Sequence, residues 1–106
     1  MGNKHRKNRS RVPPIAHALG LELREDWSGV DAVMPLLERM KDEGAVVMIK
    51  LDGQRGVGHS SPYTAVVTGP MLADTLHIDS RDLEDAIAYV IVEYARRQWG
   101  VLGIEA

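Results

Sequence analysis

Ala45-Val46-Val47-Met48-Ile49-Lys50-Leu51, Tyr63-Thr64-Ala65-Val66-Val67-Thr68 and Thr75-Leu76-His77-Ile78-Asp79 are three strand-like runs in a row, and a long helical pattern follows them. The first is apolar at nearly every position and rich in β-branched residues, which predicts a central or first strand covered on most of both sides. The second is stopped by Gly69-Pro70. The third alternates, so Leu76 and Ile78 point inward while Thr75, His77 and Asp79 face out. Between the first two lies Asp52 to Pro62, with three glycines and a proline, a long loop of turn-forming residues.

The helical pattern predicts a helix over about 80–98, capped by Asp79 or Ser80. Asp82, Glu84 and Asp85 complement the positive end of its dipole, and Arg96 and Arg97 the negative end. Leu83, Ile87, Val90, Ile91 and Tyr94 recur at helical spacing and make a core stripe. Ala86, Tyr89 and Val92 widen that apolar arc beyond what one sheet needs. Two readings follow: a helix seated in a concave sheet, or a dimer or partner face.

Upstream, Asp31 is the expected cap of a helix over 32–43, which places Pro35 in the early turns where a missing amide costs least. Val33, Leu36, Leu37 and Met40 form its buried side, and Gly44 suits the left-handed residue that closes it. Ile15 to Leu19 reads as a short helix with Pro14 at its first position and Gly20 at its end. Leu21-Glu22-Leu23 is a candidate edge strand, and Trp27 packs over the core. The expected fold is therefore α+β, in the order α-β-β-β-α: a three-stranded antiparallel sheet with two helices on one face, in a single domain over 14–106. Past that domain's last helix, Val101-Leu102-Gly103-Ile104 is expected to fold back over the core or to bind a partner.

Charge is distributed unevenly along the 106 residues. Lys4, Arg6, Lys7, Arg9 and Arg11 put five of the 13 basic residues into the first eleven positions, with no acid among them. Eight basic residues remain against all 15 acidic ones, so the rest of the chain is strongly acidic. Residues 1–13 read as a disordered basic arm attracted to polyanions, or as a solubilising tail, or as an arm lying on its own acidic body. There is no Cys, which excludes disulfides and thiolate chemistry. No apolar run reaches the length of a membrane span, and the basic start lacks the apolar segment of a secretory signal. The expected setting is the cytoplasm, for a bacterial or phage-like protein without membrane contact.

Catalytic signals are weak. Ser60 and Ser61 adjoin His59 but lie in no nucleophile elbow. His77 and Asp79 share a strand face, too few ligands for a metal. The glycines at 53, 56 and 58 do not open a helix, as a phosphate cradle requires. No enzyme, metal or cofactor is expected.

One resemblance is carried by the loop. Gly56-x-x-His59-x-x-x-Tyr63, between the first and second strands and within a helix, three strands, helix order over about 31–97, is similar to the double-stranded-RNA-binding domain. In that family a Gly-Pro-x-His loop enters the RNA minor groove. Val57 stands here where Pro is usual. The family opens its second helix with lysines on phosphates, whereas this chain has Ser80-Arg81-Asp82-Leu83-Glu84-Asp85, whose carboxylates oppose phosphate. The resemblance implies the fold, with His59 and Arg55 as nucleic-acid contacts when the basic arm assists.

Two functions are expected of such a chain. One is a small non-enzymatic binding module for nucleic acid, through Lys4, Arg6, Lys7, Arg9, Arg11, Arg55 and His59. The other is a protein-interaction module, such as an accessory subunit, antitoxin-like protein or inhibitor. It would use Met71, Leu72, Tyr89, Val92 and Trp99, and a homodimer is compatible with either.

Overall fold

A computed structural model describes residues 6–54 and 61–100. The elements run α1 (Arg6–Ala18), α2 (Val30–Asp42), β1 (Val46–Leu51), β2 (Tyr63–Thr68), β3 (Leu76–Ser80) and α3 (Leu83–Tyr94), which continues as a π-helical turn over Ala95–Trp99. The strands form one antiparallel sheet in the order β1-β2-β3. Met48 stands opposite Val66, and Val66 opposite His77. Ala65, Val67, Leu76 and Ile78 are buried beneath the helices, whereas Val46, Met48, His77 and Asp79 lie exposed on the other face. The α+β class and the three-stranded sheet with helices on one face agree with the sequence reading.

The helix order is α-α-β-β-β-α, because a helix runs through the region expected to be a disordered arm. Residues 6–13 are not free chain: they continue into Pro13 and Pro14 as α1, which packs mainly on α3. Asn8, Val12, Pro13, Ile15 and Ala16 are buried. The domain thus begins no later than Arg6, and the short helix expected over 15–19 is only its last turn. The prolines misled the sequence reading. Each removes an amide from the helix interior, and the interruption at Pro13 is made good by a side chain from outside the helix. The amide of Gly20 donates to the His17 carbonyl at 3.0 Å and that of Leu21 to Ala16 at 2.8 Å, closing α1. Residues 21–24 then form no strand, contrary to the edge strand expected there.

Covered by α1 as well as by the sheet and α2, α3 buries eight of its twelve residues, so its apolar surface extends well beyond one stripe. That accounts for its wide apolar arc. Its true cap is Asp82, whose carboxylate accepts from the Asp85 amide at 3.2 Å, because β3 extends through Ser80.

The cap of α2 also differs from expectation. Asp31 lies inside the first turn, and the N-cap is Gly29 at φ 82°. Glu84 of α3 accepts from the Gly29 amide at 2.8 Å and from the Ser28 hydroxyl at 3.4 Å, so a carboxylate from a distant helix sits at the positive end of α2. That hydrogen bond holds the Glu84 carboxyl below its ordinary pKa. At the other end, Gly44 at φ 96° lets its own amide reach Lys41 at 2.9 Å and that of Ala45 reach Met40 at 3.0 Å. The chain turns there directly into β1, as the sequence implied.

Candidate interaction surface

β1 is an edge strand, not a covered one. A run apolar on both faces is normally roofed on both, but among the described residues this sheet has one helical layer and β1 has one neighbour. Val46 is therefore 53% exposed, Met48 52% and Leu51 65%. Five of its six residues are apolar, and it contains no proline.

The phase of its backbone follows from one bond. The Asp52 amide donates to the Pro62 carbonyl at 2.8 Å, in the same register that pairs Lys50 with Thr64 and Met48 with Val66. In an antiparallel ladder the hydrogen-bonded pairs recur at every second residue. Val46, Met48 and Lys50 thus bond to β2, while the amides and carbonyls of Val47, Ile49 and Leu51 point out from the sheet. Among the described residues nothing pairs with them. The opposite edge is protected differently. β3 has five residues and carries His77 and Asp79 at alternate positions, with the Thr64 hydroxyl donating to Asp79 at 2.6 Å.

Beside the free edge, α2 and β1 enclose a groove of about 510 Å³, lined by Val30, Met34 and Leu37 from the helix and by Val47 and Ile49 from the strand. Glu38 and Lys41 form its rim and are paired with each other at 2.8 Å. The hydrogen bond to Glu38, and then that to Asp42, raise the Lys41 pKa, so this ammonium stays protonated. An apolar groove alongside an unpaired strand edge is the geometry that receives an extended peptide: the backbone bonds to the edge and alternate side chains enter the groove.

The residues expected to bind nucleic acid are not gathered into a site. Lys4, Arg55 and His59 lie outside the described residues, as does the loop that carries the resemblance to the RNA-binding domain. Arg6 and Lys7 belong to α1, but their side chains also lie outside them. Arg9 is turned inward: its guanidinium lies 5.5 Å from the centre of the Trp27 ring, and both Nε and Nη2 donate to the Trp27 carbonyl, Nε at 3.1 Å. Arg11 is half-buried. At the start of α3, the helix end where the RNA-binding family places lysines, Asp82 caps, Glu84 holds α2, and Asp85 is buried against the Ser80 hydroxyl at 3.0 Å.

The expected partner patch divides. Met71 is 63% exposed, Leu72 and Tyr89 are half-buried, and Val92 is fully buried. Val92 therefore belongs to the core and not to a surface, a correction that follows from α1 packing on α3 beside the sheet and α2. Trp99 is held in place: its indole N–H donates to Glu43 at 3.0 Å, Tyr94 donates to the same carboxylate at 2.7 Å, and the two rings meet edge to face at 5.2 Å. Burial first, then the bond to Glu43, push the Tyr94 phenol far above its ordinary pKa. Sequence reasoning passed over Met34, Val46, Met48 and Leu51. The signal that could have found them was a two-faced apolar strand in a sheet roofed on one face.

Among the described residues no cluster of three or more His, Asp or Glu could hold a metal, and no helix is long and apolar enough to cross a membrane. The chain matches no family model, no curated protein and no solved structure. The similarity to the double-stranded-RNA-binding domain thus remains one of element order and of the loop motif.

Proposed function

We propose that this chain is a non-enzymatic protein-interaction module that takes up an extended strand at the free edge of β1. The observation that carries the reading is the row of outward backbone groups at Val47, Ile49 and Leu51 beside the apolar groove under α2. Main-chain hydrogen bonds supply affinity in such docking, and the groove selects alternate apolar side chains. The exposed Leu51 and Met34 add apolar surface at the same place. The nucleic-acid reading has less support, since Arg9 is committed to Trp27 and the start of α3 is acidic.

Selection from a random-peptide display library tests the proposal, with the full chain at low concentration as bait. Peptides with alternating apolar residues are expected to enrich on the natural chain and to be lost on a Leu51→Lys variant, whose substitution is on the surface. Enrichment that does not distinguish the two chains would overturn the reading.

A further inference from the structure

We infer that the strand received by β1 is β1 of a second copy of this chain, paired antiparallel about a twofold axis at Ile49. The inference rests on the strand-docking reading above and names its occupant.

A strand that pairs with its own copy about an axis normal to the sheet must match residues symmetrically around one centre. The outward backbone groups of β1 belong to Val47, Ile49 and Leu51, which are symmetric about Ile49. With Ile49 opposite itself and Val47 opposite the partner's Leu51, each becomes a hydrogen-bonded pair, and every free amide and carbonyl of the strand is used. Neighbouring registers fail. Centring on Met48 places Leu51 opposite Ala45, whose amide already donates to Met40 at 3.0 Å. Centring on Lys50 places Val47 opposite Gly53, beyond the end of the strand.

The side chains agree with the same register. On the helix-covered face Leu51, the most exposed apolar residue of the strand, meets Val47, and Ile49 meets itself. On the open face Met48 lies opposite Lys50, whose aliphatic stem can cover it while the ammonium stays in water. Val46 faces Asp52 at the rim. Two three-stranded sheets become one continuous sheet with all the roofing helices on one side, and the apolar grooves under the two α2 helices meet at the axis. An unguarded apolar edge is thereby removed from solvent in both copies.

Three measurements on the full chain test this. Sedimentation equilibrium at roughly 100 µM should give twice the 11.7 kDa chain mass, and Leu51→Lys should weaken association at least about tenfold while leaving the far-UV circular dichroism unchanged. The register is read by oxidation. The chain has no Cys, so a mixture of Met48→Cys and Lys50→Cys chains should form a disulfide-linked heterodimer. Either variant alone should not, because identical positions then lie beyond disulfide reach. A chain that stays monomeric at that concentration, a dimer indifferent to Leu51→Lys, or cross-linking as efficient within one variant as in the mixture each overturns the inference. If the chain is monomeric yet the display selection yields strand peptides lost on Leu51→Lys, the docking function stands and only this occupant is wrong. If both experiments fail, the function falls with it.

Discussion

The indole N–H of Trp27 donates to the backbone carbonyl of Arg9 at 2.9 Å. Arg9 is four residues before Pro13, so this is the carbonyl that Pro13, lacking an amide, leaves without its helical donor. The side chain of Arg9 in turn donates to the carbonyl of Trp27. The two residues thus exchange bonds in both directions, and a helix with two consecutive prolines remains unbroken.

Trp27→Phe should therefore destabilise the protein by about 1–3 kcal/mol, since a partly buried carbonyl is left without a donor. In a Pro13→Ala background, alanine restores an amide to that carbonyl and the same substitution should cost about 1 kcal/mol less. Urea denaturation of the four chains measures the coupling. Strictly additive effects would show that the indole bond does not substitute for the missing amide.

A chain beginning at Val12 should lose stability and not merely charge. It lacks Arg9, both arms of the exchange with Trp27, and the buried Asn8. A loss of about 3 kcal/mol is expected from these bonds together, read as a fall in thermal midpoint. Loss of nucleic-acid binding on that truncation would be uninformative for this reason. Lys4→Gln with Lys7→Gln in the full chain is the cleaner comparison, and fluorescence anisotropy with duplex RNA should show no salt-steep binding that these changes abolish.

Acid should loosen the contact between α2 and α3. The Glu84 carboxyl has its pKa lowered in the folded protein, first by the hydrogen bond from Gly29. A group depressed in this way contributes stability that is present above its unfolded pKa, about 4.3, and is lost as pH falls through the folded value. Glu84→Gln should lower the thermal midpoint at neutral pH, and the gap from the natural chain should close progressively below about pH 4. A gap independent of pH would show that the charge is not what Gly29 requires.

Alkali should act on the other end of the same helices. The Tyr94 phenol is raised in the folded state, so its contribution is fully present below its unfolded pKa, about 10, and is lost as pH rises above it. Tyr94→Phe should be less stable than the natural chain at neutral pH, because the bond to Glu43 is gone, yet should lose less stability between about pH 9 and 11. Circular dichroism melts across that range provide the check.

The three strands, their antiparallel sheet and the core stripe of α3 were legible in the sequence because they depend on period and on turn residues, which are local, whereas the place of β1 within the sheet was left open between centre and edge. The turn at Gly44 was legible for the same reason. What could not be read depended on partners distant in the chain. The cap of α2 is supplied by Glu84, more than fifty residues away, and the carbonyl freed by Pro13 is satisfied by Trp27. A basic run resembles a free arm until something apolar is found to cover, and Val12, Ile15 and Ala16 find α3 only in three dimensions. The β1 edge was hidden by a pattern rule: continuous apolar character was read as burial on two faces, yet Val46 and Met48 stand exposed on the face that no described helix roofs.

The packing of α1 on α3 joins the first and last helices of the described chain. Closing a contact across nearly the whole length of a domain carries the largest loop entropy the fold has to offset. During synthesis the apolar face of α1 has nothing to lie on until α3 has left the ribosome, so the sheet with α2 is expected to assemble first and α1 to dock last. In the finished protein the order is mirrored. α1 is therefore expected to be the first unit to detach while the sheet persists, and its amides should exchange with solvent through a cheaper opening than those of β2.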